Sequence, residues 1–296
     1  MNAIELSGVT FTYGKNMPGA VPALDDVSLA VKEGGITGLI GHTGSGKSTL
    51  VQLLNGLLKP DSGKVLLDGV DIWAEPKKIR EVRFKAGLVM QYPEYQLFAE
   101  TVAEDIAFGP TNMGLEKDEI DKRVKEAARF AGLSEDLLAK SPFDLSGGQK
   151  RRAALAGVIA MNPKILILDE PAAGLDPSGR RDILGGVKRF SRESGTTVLI
   201  VSHSMEDMAM YCDDIIVMAH AKILMHRPTA EVFSEAEQLA AVGLDVPLIT
   251  RVAAALAENG VDIGRDVYTV DYAVGRLAEL LGEQAAVNQN INRESL

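Results

Sequence analysis

Residues 41–48 constrain the possible folds of this chain more than any other stretch. They read Gly-His-Thr-Gly-Ser-Gly-Lys-Ser and fit the phosphate-binding pattern G-x-x-x-x-G-K-[ST]. The apolar run at 36–40 is typical of a buried strand, and residues 49–54 are typical of a helix. In that context backbone N–H groups turn toward phosphate oxygens, and the helix N-terminus adds partial positive charge. We therefore predict an α/β fold with a nucleotide site here; the alternative is a glycine-rich turn that binds nothing.

Individual residues of this loop have separate expected roles. Lys47 is expected to reach the β- and γ-phosphates, and the Ser48 hydroxyl is expected to lie on Mg²⁺. Contacts with the nucleotide are predicted along the whole loop and at the start of the helix that follows, from Gly41, His42, Thr43, Gly44, Ser45, Gly46, Lys47, Ser48 and Thr49.

Length and charge narrow the class of protein. The 296 residues suffice for one large domain, or for one domain with a smaller appendage. The formal net charge of −10 argues against broad electrostatic attachment to nucleic acid. Cys212 is the only cysteine, which suits a reducing cytoplasm. Neither a secretory signal nor a run of roughly 20 apolar residues is evident, so we expect any membrane role to act through a partner protein.

Hydrophobic patterning predicts mixed strands and helices. Alternation at 4–12 and at 27–31 predicts antiparallel strands. Continuous apolar runs at 164–169 and 196–201 predict parallel strands buried on both faces. From about residue 101, the pattern predicts helices rich in charged residues, which separate the N-terminal strands from the strand at 164–169. A crossover helix is expected at 182–194, a strand pair at 214–225, and further helices at 230–242, 247–259 and 270–281.

A second candidate element is the apolar strand at 165–168 with the two carboxylates that follow it. Ligand crevices in parallel sheets lie at the carboxyl ends of strands, which directs these side chains toward the bound phosphates. Asp169 is therefore expected to hold Mg²⁺, directly or through water. Glu170 is expected to accept a proton from the attacking water and to orient it. An apolar strand followed by Asp-Glu is weak evidence alone, and the phosphate loop in the same chain makes it strong.

The third element is Leu-Ser-Gly-Gly-Gln at 145–149. Ser146 can cap the helix that follows, and the glycines permit close approach of the backbone to an anion. Together with the other two elements, this pentapeptide resembles the signature sequence of ATP-binding-cassette ATPases, and the resemblance covers residues 1 to about 226. The resemblance implies ATP with Mg²⁺, a RecA-like parallel-sheet core, an antiparallel β subdomain and a helical subdomain at about 101–160. Residues 227–296 then form a small helical appendage.

The same resemblance implies roles for further residues. Tyr13 matches the aromatic residue that stacks on adenine, and Gln91 matches the switch glutamine that also reaches Mg²⁺. His203 matches the switch histidine, and residues 173–176, which end at Asp176, match the dimer loop. In this family two cassettes pack head to tail, which implies that the γ-phosphate held by one chain meets the signature residues of the other, here Ser146, Gly147, Gly148 and Gln149. One departure is Ala172, where the family often has threonine.

Two further stretches resemble one branch of the family. Residues 91–98, Gln-Tyr-Pro-Glu-Tyr-Gln-Leu-Phe, and the Ala-Phe-Gly-Pro at 107–110 are similar to the cobalt and energy-coupling-factor branch. Residues 41–43 and 148–152 resemble the second of its two A-type ATPases. That branch implies a sister ATPase in a heterodimer, or a homodimer, with a T-type transmembrane subunit and an S substrate-binding subunit. The chain is then expected at the cytoplasmic face of the cell membrane, powering uptake of vitamins or transition-metal ions.

The sequence leaves open several alternatives for the class of ATPase and for the role of the C-terminal helices. The ATPase could serve a dedicated cobalt or nickel importer, or it could be a soluble cassette protein acting on ribosomes or nucleic acid. A single cassette without a coiled-coil insertion weighs against the soluble class. A small-molecule kinase lacks a signature sequence, and a non-hydrolysing nucleotide binder needs neither Glu170 nor His203. The C-terminal helices either stabilise the ATPase dimer or have no separate activity.

Overall fold

A computed structural model describes residues 1–264 and 266–294, with residues 283–294 described by their backbone alone. The smaller of two sheets is antiparallel and has the strand order β2-β1-β4-β5. Its strands are β1 (Asn2–Thr12), β2 (Pro22–Lys32), β4 (Ser62–Leu67) and β5 (Val70–Asp71). It contains the two antiparallel strands that sequence alternation predicts.

The larger sheet has six strands in the order β10-β9-β3-β8-β7-β6. All neighbouring pairs are parallel except β9 and β10, which form the predicted strand pair. Its strands are β3 (Ile36–Gly41), β6 (Ala86–Val89), β7 (Ile165–Asp169), β8 (Thr197–Val201), β9 (Asp214–Ala219) and β10 (Lys222–Pro228). The parallel order brings the carboxyl ends of β3, β6, β7 and β8 to one edge.

Apolar side chains of this sheet alternate between two cores. Leu166 and Leu168 of β7 pack on one side, whereas Ile165 and Ile167 pack on the other. Burial on both faces explains why these strands are continuous apolar runs. The α/β fold class is confirmed.

Eleven α-helices accompany the sheets in the described ranges. They are α1 (Lys47–Leu54), α2 (Ile79–Lys85), α3 (Val102–Asn112), α4 (Lys117–Ala131), α5 (Gly147–Ile159), α6 (Pro177–Ser194), α7 (Met205–Tyr211), α8 (Thr229–Ser234), α9 (Ala236–Ala241), α10 (Leu248–Glu258) and α11 (Val270–Glu294). None of the helices in the described residues is long and apolar enough to cross a membrane.

Helices α3, α4 and α5 pack against one another as a subdomain beside the larger sheet. Thr101 starts α3 with a reciprocal cap, in which its hydroxyl accepts from the Glu104 N–H and the Glu104 carboxylate accepts from the Thr101 N–H. Such a cap satisfies two backbone donors that a helix start leaves free. Gly132, in the left-handed conformation at φ 71°, ends α4.

Three predicted helices differ from the structure in their limits. The crossover helix α6 begins at Pro177, earlier than predicted, because Asp176 caps it and proline is favoured in a first helical turn. The helix predicted at 230–242 is broken at Glu235, which has non-helical backbone angles and separates α8 from α9. The last helix starts as predicted and continues to Glu294.

Candidate functional site

The phosphate loop connects β3 to α1, as the sequence predicts. Gly46 lies at the N-cap of α1 with φ 105°, in a region that side chains disfavour. A Cβ atom on Gly46 would also collide with the carbonyl oxygen of Ala23. Gly44 has φ 82° with open space around it. Glycine is therefore required at these positions for the loop to curl over the helix N-terminus.

Lys47 is held inside this loop. Its Nζ donates to the carbonyl oxygens of Gly41 at 2.6 Å and His42 at 3.1 Å. Burial lowers the pKa of Lys47, although the negative charges of Glu170 and Asp169 oppose that shift. The structure thus places the lysine ammonium close to both carboxylates at the edge of the sheet.

Asp169 and Glu170 follow β7 at the same edge. Burial raises the pKa of Asp169, and the neighbouring charge of Glu170 raises it further, while Lys47 opposes both. Two carboxylates with one nearby ammonium leave an excess of negative charge. This donor set suits a divalent cation, because hard cations prefer carboxylate oxygens.

Glu170 and His203 are in direct contact. His203 Nδ1 lies 2.8 Å from Glu170 Oε1, and the Ser202 hydroxyl lies 3.5 Å from Oε2. The Glu170 side chain is 13% exposed, against 78% for His203. Glu170 also has φ 52°, a strained backbone conformation for a non-glycine residue. Such strain costs on the order of 1–3 kcal/mol and tends to occur at functional sites.

Two other predicted residues lie around this centre. Tyr13 follows β1, is exposed, and has its hydroxyl 3.4 Å from Thr49 Oγ1 on α1. Gln91 is exposed and lies just beyond β6. Because β6 pairs with β7, Gln91 lies at the same sheet edge as Glu170.

The signature residues lie in a separate groove. Ser146 caps α5 by accepting from the Gln149 N–H at 3.3 Å, and the Gln149 side chain accepts from the Ser146 N–H at 2.9 Å. Gly147 has open space where a Cβ would lie. The groove holds about 370 Å³, and its lining includes Ser146, Gly148, Gln149, Leu175 and Asp176 but no residue of the phosphate loop.

The predicted residues therefore form two groups. Lys47, Asp169, Glu170 and His203 meet at the carboxyl edge of the larger sheet. Ser146, Gly148, Gln149 and Asp176 line the signature groove. An anion bound in this groove would meet backbone N–H groups at the start of α5, where the helix dipole favours negative charge.

Sequence reasoning assigned no individual role to Ser202 or to Arg151, although Arg151 lies in the 148–152 stretch that resembles the second A-type ATPase. The ladder pairs Asp169 with Val201, so the residues that follow both strands are neighbours, and strand order could have indicated Ser202. Arg151 belongs to a Lys-Arg-Arg run that is typical of a solvated face. It is nevertheless buried and pairs with Glu94.

The fold and these two groups define a phosphate-loop ATPase of the α/β class. A family model for the ABC transporter domain matches residues 24–173. The energy-coupling factor transporter ATP-binding protein EcfA2 of Clostridium acetobutylicum is 50% identical over 279 residues, covering 94% of this chain and 98% of that protein. The protein of the same name from Caldanaerobacter subterraneus is 51% identical over 91% of this chain and 94% of the relative.

Two solved structures of ATP-binding cassette proteins are also similar to this chain. CbiO1 of Clostridium perfringens, part of the ABC transporter complex cbiONQ, has a TM-score of 0.73 at 38% identity, covering 86% of this chain and 99% of that one. The ATP-binding cassette MJ0796, a dimer bound to ADP and phosphate, has a TM-score of 0.69 at 29% identity, covering 76% and 98%.

The chain belongs to the ABC transporter ATPases, in the branch of the energy-coupling factor ATP-binding proteins. It is an ATP-hydrolysing enzyme whose activity is coupled to transport. The resemblance inferred from the motifs is confirmed.

Proposed function

We propose that this chain is the second A-type ATPase of an energy-coupling factor importer, with Glu170 as its catalytic base. The observation that carries the assignment of roles is the 2.8 Å contact between His203 and Glu170 at the sheet edge that also carries Lys47. A base must lie where the attacking water reaches the terminal phosphate. A contact with His203 fixes the orientation of the carboxylate at that place.

The residues present fit Mg²⁺. Ser48 and Asp169 would hold the ion, and Gln91 would supply a further oxygen; when bound, the ion would neutralise charge on the phosphates. Within the described residues no group of three or more His, Cys, Asp or Glu side chains is arranged to hold a metal alone. That fits an ion bound by few protein groups together with nucleotide phosphates.

The chain's own residues then divide the work. Lys47 exchanges the carbonyls of Gly41 and His42 for phosphate oxygens, which recovers its hydrogen bonds when ATP binds. Glu170 accepts the proton of the attacking water, and His203 and Ser202 keep its carboxylate in place. Tyr13 offers an exposed ring for the adenine.

The signature groove supports a composite site. Because its lining lacks the phosphate loop, the backbone N–H groups of Gly147 and Gly148, which the Ser146 cap does not use, serve a phosphate held by another chain. In a head-to-tail pair with a sister ATPase, or with a second copy of this chain, the phosphate loop of each chain faces the signature residues of the other. Exposed apolar residues Val270, Val274 and Leu281 on α11, at helical spacing, support a role for the C-terminal helices in stabilising that dimer.

Aromatic side chains near Gln91 support docking of a T-type transmembrane subunit. Tyr92, Tyr95, Phe98 and Phe108 are all exposed, Tyr95 at 84%. Phe98 and Phe108 stack edge to face with centroids 5.0 Å apart. Exposed aromatic clusters are typical of protein interfaces. We place the chain peripherally at the cytoplasmic face of the membrane, where an S subunit supplies the vitamin or metal ion.

The experiment is purification of the full chain with the proteins that copurify from detergent-solubilised membranes. We expect a second cassette ATPase and a polytopic membrane protein, identified by mass spectrometry. Tyr95→Asp should reduce recovery of the membrane protein about tenfold, since a charge in an apolar contact is costly. Val70→Asp, at an exposed apolar site on β5, is the control and should leave recovery unchanged. Recovery of ribosomes instead would contradict the proposal.

A further inference from the structure

Arg151 makes a set of buried contacts that the ATPase roles described above do not use. Its Nη2 donates to Glu94 Oε1 at 2.9 Å, and its Nε donates to Oε2 at 3.2 Å. Its Nη1 donates to the carbonyl oxygen of Ala173. The residue is 7% exposed. All three guanidinium nitrogens are therefore engaged, with a two-point contact to one carboxylate that fixes geometry as well as charge.

The ion pair is charged in the folded protein. Burial alone would raise the pKa of Glu94, but the hydrogen bonds and positive charge of Arg151 outweigh burial and lower it. Removal of either partner leaves the other charge buried without compensation, which is strongly unfavourable. The three segments that Arg151 connects are thus held in one arrangement.

Those segments carry three separate parts of the candidate site. Arg151 itself lies on α5, whose first turn is the signature. Glu94 lies in the short turn Pro93–Gln96, three residues after Gln91. Ala173 lies between Glu170 and Asp176. One side chain therefore joins the signature helix, the switch glutamine segment and the turn between the base and the dimer loop.

A second contact holds the far end of the same segment. The Asp105 carboxylate of α3 accepts from the N–H groups of Phe98 at 3.1 Å and Ala99 at 3.3 Å. Residues 91–99 are thereby attached to the helical subdomain through both α3 and α5. Between Gln91 and Glu94, Pro93 is buried, whereas Tyr92 adopts φ 58° and is exposed.

We propose that Arg151 is a positioning residue that makes the segment after Gln91 and the turn after Glu170 move as one body with the signature helix. It sets the rate of hydrolysis without contacting nucleotide. The inference rests on the proposed roles of Gln91 and Glu170 in hydrolysis and on the docking of a membrane subunit by residues 91–98; unchanged turnover in Glu170→Gln would reveal a failure of the role of Glu170 separately. Its test uses hydrolysis itself, so failure of the docking assignment is seen separately, in the copurification described above.

The test compares steady-state ATP hydrolysis by the full chain in its purified assembly, or by the chain alone if no partner is recovered. The variants are Arg151→Met, Arg151→Lys, Glu94→Gln and the double variant Arg151→Met with Glu94→Gln. Arg123→Met is a matched control, because Arg123 also pairs with one carboxylate, Glu119, and one carbonyl, Met161, in the same subdomain.

We expect Arg151→Met to lower kcat about tenfold or more while KM for ATP stays within about twofold, since no nucleotide contact is lost. The double variant should be no slower than Arg151→Met, because both changes remove one interaction. Arg151→Lys should be intermediate, because an ammonium cannot serve Glu94 and Ala173 with the same geometry. Arg123→Met should keep kcat near the wild-type value.

A purely structural role predicts a different pattern. Losses of kcat that are equal in Arg151→Met and Arg123→Met, or that follow the melting temperature across the series, would overturn the proposal. So would additive losses in the double variant, or a rise in KM without a fall in kcat. If Arg151→Met does not fold, Glu94→Gln decides, because it keeps the contact with Ala173 and removes only the charged partner.

Discussion

Lys47 and Glu170 are the residues to which we assign the nucleotide chemistry, and opposing electrostatic influences act on Lys47 and on the neighbouring Asp169. Burial lowers the pKa of Lys47, and the carboxylates of Glu170 and Asp169 counteract that effect. Burial of the Asp169 carboxyl raises its pKa. Nucleotide phosphates with a divalent cation balance both groups, because each charge then has an opposite charge close by.

Lys47→Ala should weaken ATP binding at least about tenfold, since a hydrogen-bonded charge contributes roughly 1.5–3 kcal/mol. Equilibrium binding of a fluorescent ATP analogue to the purified chain measures this. Lys64→Ala, which removes an exposed lysine of β4, is the control. Equal affinity in Lys47→Ala and wild type would reject the phosphate-loop assignment.

At the scale of secondary structure, the strands could be predicted more fully than the helices. Strands β7 and β8 are buried on both faces, so their apolar runs define them in the sequence. Helix limits depend on caps that periodicity does not reveal. Pro177 and Gly179 suggest a loop, yet Asp176 accepts from the Gly179 N–H at 3.1 Å and starts α6 there.

The candidate site also contains residues that the sequence could identify and residues that it could not. Motif residues could be named from spacing, because a phosphate loop and a following carboxylate strand are defined by local sequence. Arg151 could not, because its partner Glu94 is distant in sequence and a basic run usually faces water. The meeting of α5 with the turn Pro93–Gln96 is a property of tertiary packing.

The cap at the start of α3 allows a test of this element. Thr101→Ala should lower the free energy of unfolding by about 1 kcal/mol, because the Glu104 N–H loses its acceptor. Urea denaturation measures the change. Thr111→Ala in the last turn of the same helix removes an exposed hydroxyl and should not destabilise the protein. An equal loss in both variants would contradict the capping account.

At the scale of the whole molecule, the two groups of site residues are consistent with the proposed head-to-tail dimer, in which each chain supplies half of each catalytic site. The phosphate loop and Glu170 lie at the edge of the larger sheet, and Ser146, Gly148 and Gln149 lie in the signature groove. Arg151 connects that groove to the exposed aromatic residues after Gln91. In the function we propose, Arg151 transmits closure of the dimer on ATP to a protein docked on those aromatic residues.

We assign Glu170 as the base for hydrolysis, whereas ATP binding does not depend on Glu170. Glu170→Gln keeps the shape and polarity of the side chain but cannot accept the proton, so kcat should fall at least about a hundredfold. ATP affinity should stay within about threefold, because Lys47, Ser48 and Asp169 are intact. Glu193→Gln, at an exposed ion pair with Arg129, is the control and should keep wild-type turnover.

The most direct measurement is therefore ATP turnover and ATP affinity of Glu170→Gln in the purified assembly. The structure predicts retained ATP with hydrolysis nearly abolished. Turnover equal to wild type would contradict the assignment of Glu170 as the base.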